Sequence, residues 1–192
     1  MSEKVRDGDL IRRSIVDGRL FERVFDRHHA VIHRFLRARV GLEVADDLAS
    51  EVFTTAFRRR AAYDTTWPDA RPWLFGIAVN LLRAHRQSEE RRLRAYARAG
   101  AEPASNPGEL DGHVEAFDRL GDISLALLSL SERDRDLILL LAWGDLSYEQ
   151  LGVALEIPVG TVRSRVSRVR ARLRERLEAS ASTSVGEGRS DG

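Results

Sequence analysis

Leu146-Ser147-Tyr148-Glu149-Gln150-Leu151 and then Ile157-Pro158-Val159-Gly160-Thr161-Val162-Arg163-Ser164-Arg165-Val166 decide the fold of this chain. Ser147 with Gln150 three residues on predicts a capping box at a helix start. Pro158 suits the first position of a second helix, where a missing N–H costs nothing. From there Val162, Val166, Val169 and Leu173 recur at helical spacing, a stripe that must face a core. Thr161, Arg163, Ser164, Arg165, Ser167, Arg168 and Arg172 are thereby turned away from it. A short, basic, hydroxyl-bearing helix held by a partner helix fits a DNA major groove, so the pair reads as a helix-turn-helix with its recognition helix second. A solvated basic surface helix is the plainer alternative; the capping box, the Pro-started helix and the apolar stripe favour the motif. Between Val159 and Glu178 seven Arg face two Glu, whereas the whole chain carries only +1, so positive charge is concentrated here.

Working outward, helical periodicity dominates and no alternating strand stands out. Helices are predicted over Leu20–Arg39, Ala45–Arg60 and Ala70–Arg92, with a weaker one around Leu10–Asp17. Ala61 to Asp69, rich in Asp, Thr and Pro, reads as a loop. Gly100, Pro103, Pro107 and Gly108 mark a flexible linker, and the Ser/Gly-rich end reads as disordered. The expected architecture is all-α, with two small helical domains on a tether. Residues 1–19 form an N-terminal segment, 20–98 the first domain, 99–116 the linker, 117–178 the second domain and 179–192 a disordered tail.

Bulk properties narrow the function. The chain has 192 residues, 43% hydrophobic and 32% charged, with no apolar run near the ~18–20 residues that span a bilayer. No signal-peptide core opens it, so a cytoplasmic location without membrane contact of its own is expected. Zero cysteines exclude disulfides and zinc–thiolate sites within the chain. No phosphate-binding Gly loop or metal-ligand spacing is present, and His29 and His33, four apart on one helix, read as surface or core residues. The expectation is a binding protein and not an enzyme, with neither cofactor nor metal.

Two passages of the first block carry further chemistry. Asp46, Asp47, Ser50, Glu51 and Phe53 give one helix an acidic front edge. Acids there favour the helix dipole, and the same acids suit docking on a basic protein partner. Arg71-Pro72-Trp73-Leu74-Phe75-Gly76-Ile77-Ala78-Val79-Asn80 leads to Arg83 and Arg86, with Asn80, Arg83 and Arg86 on one face. The preceding loop supplies Tyr63 and Trp67. Aromatic rings beside cations suit unpaired bases and their phosphates, which a duplex reader alone would not need.

These passages, with Leu130-Ser131-Glu132-Arg133-Asp134-Arg135, resemble bacterial RNA polymerase sigma factors of the extracytoplasmic-function (ECF) group. The resemblance covers both blocks. It implies that the first is sigma region two, binding the β′ coiled coil of core RNA polymerase and the promoter −10 element. The second would be region four, binding the β flap and reading the −35 element. It places polymerase contact on Asp46, Asp47, Ser50, Glu51 and Phe53, and the melted −10 strand on Tyr63, Trp67, Asn80, Arg83 and Arg86. The −35 DNA would meet Thr161, Arg163, Ser164, Arg165, Ser167, Arg168 and Arg172. An anti-sigma factor is a further partner that the family often has. Three positions depart from the family pattern: Ser50 for Gln, Gly152 for Ala, and Glu156 for the Gly of the turn. A stand-alone helix-turn-helix regulator is the alternative, but it leaves the acidic helix and the Trp73 passage without a role.

Overall fold

The computed structural model describes residues 5–98 and 122–187. Eight α-helices run through them: α1 Asp7–Ser14, α2 Glu22–Val40, α3 Leu42–Arg59, α4 Arg71–Arg98, α5 Asp122–Leu128, α6 Glu132–Trp143, α7 Tyr148–Leu155 and α8 Val159–Glu187. Short 3-10 turns at Gly18–Phe21 and Arg60–Ala62 complete the path, and no strand occurs among the described residues. The all-α expectation holds. The linker, 99–116, and the start of the second domain, 117–121, lie outside the described residues, as do 188–192.

In the first unit, α2, α3 and α4 bury the stripes that periodicity predicts. Ile32, Phe35 and Leu36 meet Ala45, Ala49 and Val52 from α3 and Leu74, Phe75 and Leu82 from α4. Gly41, at φ 80°, lets the chain reverse between α2 and α3 without a spacer, a conformation that a Cβ would strain. Residues 7–14 pack against this unit. α1 starts at Asp7, earlier than its apolar residues suggest, and fully buries Leu10 and Ile11 in the same core. Asp7 and Asp9 in its first turn and Arg12 and Arg13 in its last complement the helix dipole.

In the second unit, Ser131 accepts from the Asp134 amide and caps α6. Ser147 and Gln150 form the expected reciprocal capping box on α7. Pro158 sits one residue before α8, where its carbonyl accepts from Thr161 and Val162 at 2.8 and 3.1 Å. Val162, Val166 and Val169 are buried, as their spacing predicts. Glu156 takes the left-handed conformation, φ 55° and ψ 43°, that ends α7. One expectation is corrected here. Residues 179–187 continue α8 as helix, because extending a formed helix is far easier than starting one and Ala179 and Ala181 favour it.

The two units are packed together. α7 lies along α4, so close that a Cβ on Gly76 would stand 3.4 Å from the Ala154 carbonyl oxygen. The buried apolar residues make one cluster through both units. Beside it Arg39, wholly buried, donates through Nε to Asp136, also buried, at 2.9 Å and through Nη2 to Glu132. Arg86 reaches the same two carboxylates. Burial alone would raise the Glu132 carboxyl, but the guanidiniums of Arg39, Arg86 and Arg135 outweigh it and hold it below its ordinary value. Arg39 Nη1 and Arg86 Nη2 nevertheless have no hydrogen-bond partner among the described residues. Buried orphan donors penalise this contact. Arg34 and Arg71 also donate to the carbonyls of Trp143 and Gly144.

Candidate nucleic-acid interface

The exposed side of α8 carries the predicted recognition residues. Arg163, Ser164, Ser167, Arg168 and Arg172 are exposed, and Thr161 and Arg165 are half-buried at its edges. Their contacts are slack. Arg163 lies 3.7 Å from Glu149 and Arg172 lies 3.9 Å from Asp134, loose surface pairs of little worth. Ser164 Oγ donates back to the Thr161 carbonyl, and Arg168 Nε donates at 3.4 Å to the Ser164 carbonyl. These side chains can be redirected toward base edges or phosphates at small cost. Arg165 differs: it lines a cleft of about 230 Å³ with Arg83, Arg133, Leu155, Glu156 and Ile157.

The loop before α4 is highly ordered by its own chemistry. Asp64 Oδ1 accepts from the Thr66 amide and hydroxyl at 3.0 and 2.7 Å. Tyr63 OH donates to the Trp67 and Asp69 carbonyls. Asp69 Oδ1 accepts from the Arg71 amide and so starts α4. The result is a groove of about 370 Å³ walled by Arg59, Tyr63, Asp64, Trp67, Trp73, Ile77 and Asn80, with Val153 and Glu156 of the second unit across it. Tyr63 is buried, its ring 4.9 Å from that of Trp73, so it builds the wall and presents no open stacking face in this arrangement. Burial and the carboxylates of Asp7, Asp69 and Asp64 push its phenol above the ordinary range. Trp67 and Trp73 are half-buried and Asn80 is exposed, its side-chain Oδ1 3.4 Å from Arg83 Nη1. Arg86 stands apart from this group, drawn to Glu132 and Asp136.

On α3, Asp46, Asp47, Ser50 and Glu51 are exposed together, while Phe53 is buried. Phe53 meets the edge of Phe25, itself 38% exposed, at 4.8 Å. Its ring also lies 5.9 Å from His29, which stacks on both Phe25 and His33. His33 Nε2 is 2.7 Å from Asp46 Oδ1, so its acidic partner comes from the neighbouring helix. The acidic edge thus adjoins an aromatic and imidazole ladder on α2, legible in the sequence only as Phe25, His29 and His33 at a spacing of four.

Two constellations escape sequence reasoning. One is the Arg39–Arg86–Glu132–Asp136 set, in which Arg39 lies 93 and 97 residues from the two acids it meets. The other is Asp7, His28 and Asp69, whose ligand-type atoms lie within 4.8 Å of one another. The latter does not suit a cation: Arg27 sits on Asp7 at 2.8 Å and Arg71 on Asp69 at 2.7 Å. Positive charge is already supplied there by protein.

Comparison with known proteins matches residues 24–92 to the family Sigma-70 region 2 and residues 120–173 to Sigma-70, region 4. The Mycobacterium tuberculosis ECF RNA polymerase sigma factor SigL is 31% identical over 150 residues, covering 77% of this chain and 82% of its own. SigC of the same species is 29% identical over 154 residues, covering 80% and 81%. In solved structures, the sigma factor RpoE of Bartonella quintana, crystallised with the anti-sigma factor NepR, superposes with TM-score 0.63 at 25% identity, covering 82% and 96%. CnrH, crystallised with the cytosolic domain of CnrY, gives TM-score 0.66 at 22% identity over 90% and 97%, which supports the fold. Both helical units, in this order, with relatives aligned across them, place the chain in the ECF group of RNA polymerase sigma factors.

Proposed function

We propose that this alternative sigma factor divides promoter recognition between its two units, each presented to DNA by core RNA polymerase. The recognition helix α8 takes the −35 element in the major groove through Thr161, Arg163, Ser164, Arg165, Ser167, Arg168 and Arg172. The groove of Trp67, Trp73 and Asn80, with Arg83 at its end, takes the melted −10 strand, by stacking and phosphate neutralisation. Tyr63 shapes that groove, and Arg86 becomes available to phosphate only when it leaves Glu132. Asp46, Asp47, Ser50 and Glu51 dock on core polymerase, with Phe53 supporting Phe25 beneath them. The observation that carries this reading is one exposed basic helix face together with a separate aromatic-walled groove.

Distance adds a requirement. Elements centred near −35 and −10 lie about 25 base pairs apart, roughly 85 Å at 3.4 Å per pair. Arg83 and Arg165 line one small cleft in the packed arrangement. The units therefore separate before both elements are held, and Val153 and Glu156 leave the −10 groove as they do so. Core polymerase, holding each unit at a fixed place, turns the second DNA contact into an intramolecular one. The complex of RpoE with NepR supports an anti-sigma factor as a further partner class. The role is binding and positioning, without a reaction of its own.

The test is run-off transcription by core polymerase plus the purified chain on genomic promoters. Discrete start sites that depend on the chain support the proposal. A chain that binds promoter DNA alone yet neither joins core nor directs initiation would instead be a stand-alone regulator.

A further inference from the structure

Helix α1 lies outside the residues that match Sigma-70 region 2, yet its first turn is sewn to the loop over the −10 groove. The Asp7 amide donates to the Pro68 carbonyl at 3.1 Å. The Asp7 carboxylate, buried, accepts through Oδ2 from the Ala70 amide at 3.0 Å and meets His28 Nε2 at 2.7 Å, while Oδ1 accepts from Arg27 Nη1 at 2.8 Å. Gly8 lies flat beneath the loop. A Cβ there would stand 2.7 Å from the Thr65 carbonyl oxygen and 3.0 Å from that of Trp67.

We infer that Asp7 and Gly8 are positioning residues for promoter selectivity: α1 fixes the shape of the loop Tyr63–Asp69, and through it the width of the −10 groove. This rests on the reading of that groove given above. The chemistry calls for a carboxylate. Three N–H donors from two segments (the Ala70 amide of the loop, and the His28 ring and Arg27 guanidinium of α2) converge on two oxygens with no donor of their own. An amide at this place would set its own NH2 against one of those donors and release either the loop or α2. Burial opposes the charge on Asp7, yet the hydrogen bonds from His28, Ala70 and Arg27 hold its carboxyl well below the carboxylate range, so the acceptor form persists at neutral pH. Gly8 supplies a second constraint of a different kind. Both atoms facing its missing Cβ are backbone, so alanine there must lift the loop or tilt α1, although alanine itself favours helix.

The experiment compares wild type, Asp7→Asn and Gly8→Ala as full chains with core polymerase. Run-off transcription is measured on one promoter, on its −10 substitutions and on its −35 substitutions, with hydrogen exchange measured on the free proteins. Both variants should lower the ratio of native to substituted −10 output by about threefold to tenfold, part of what a whole base contact is worth. The −35 ratio should stay unchanged. Amides of residues 63–70 should exchange faster in Asp7→Asn, and those of 147–162 should not. A merely structural defect reduces active protein, scales every promoter alike and leaves both ratios unchanged, so lower output with both ratios intact overturns the inference, and so does equal loss in both ratios. Unchanged exchange in the loop also overturns it, whatever the promoters show. Faster loop exchange with an intact −10 ratio refutes the selectivity role and removes the loop from −10 reading. If wild type directs no initiation, the sigma reading fails by itself, and loop exchange still judges the clamp.

Discussion

Replacing Arg39 by Met should open the protein without unfolding it. The Arg39 side chain is 0% exposed and that of Asp136 is 1% exposed, so the substitution leaves a carboxylate in the interior whose remaining ion pair is with Arg86, at 3.8 Å. Stranding one partner of a buried ion pair costs about 3–5 kcal/mol, and residual contact with Arg86 argues for the lower figure. The penalty exists only while the units stay together, because separation returns Asp136 to water. At ~1.4 kcal/mol per factor of ten, the closed-to-open ratio should fall by roughly 100-fold or more. Apolar burial between α4 and α7 opposes opening but is unchanged by the substitution. Small-angle scattering reads the outcome: a compact chain of 192 residues has a radius of gyration of about 16 Å, and the variant should exceed it by several ångström while keeping its helical circular dichroism. Arg39→Met combined with Asp136→Leu should close the protein again, since an apolar pair of similar volume replaces a buried ion pair with little loss. An Arg39→Met protein as compact and as stable as wild type would refute the reasoning that this network holds the units together.

Arg163→Ala or Arg165→Ala should weaken initiation at −35-dependent promoters by about 1–3 kcal/mol if the guanidinium reads guanine; unchanged run-off from both variants and from their combination would remove α8 from −35 reading. Because the folded-state Glu132 carboxyl lies below its ordinary 4.5, its contribution to closure is complete above that pH and is lost as pH falls below it. Scattering from pH 7 downward should show expansion setting in below about 4.5 for wild type, and a smaller pH dependence for Glu132→Gln. Glu156→Gly should raise the melting temperature by a few degrees, since a left-handed residue with a side chain costs ~1–2 kcal/mol; no gain would mean that the Glu156 side chain contributes as much as the strain removes.

The second unit was largely readable because its signals are local. Ser147 and Gln150 are three residues apart, the Val162 stripe lies within one helix, and both appear where periodicity and capping put them. Pro158 shifted by one residue, the usual uncertainty of helix boundaries. The helix over 179–187 is not legible in Ser-rich composition, because it depends on the ease of extending a helix already formed. What remained hidden depends on pairing across sequence distance. Asp7 looks like any acid near a helix start, and only the fold brings Ala70, His28 and Arg27 to it. Tyr63 and Arg86 have the right chemistry for nucleic acid, and sequence spacing could not reveal that one is a wall and the other is held by the second unit. The Gly/Pro-rich segment predicts two domains but says nothing of the ion pairs of Arg39 with Glu132 and Asp136 that also bind the units.

The most direct test of the account is a reversible staple, which the absence of native cysteine makes clean. A Cβ at Gly76 would lie 3.8 Å from the Ala154 Cα, so oxidation of Gly76→Cys with Ala154→Cys, followed by loss of free thiol, should cross-link α4 to α7. The oxidised protein should direct no transcription by core polymerase, and reduction should restore it to the level of either single variant. Full run-off activity from the cross-linked protein would contradict the claim that the two units must part to grip one promoter.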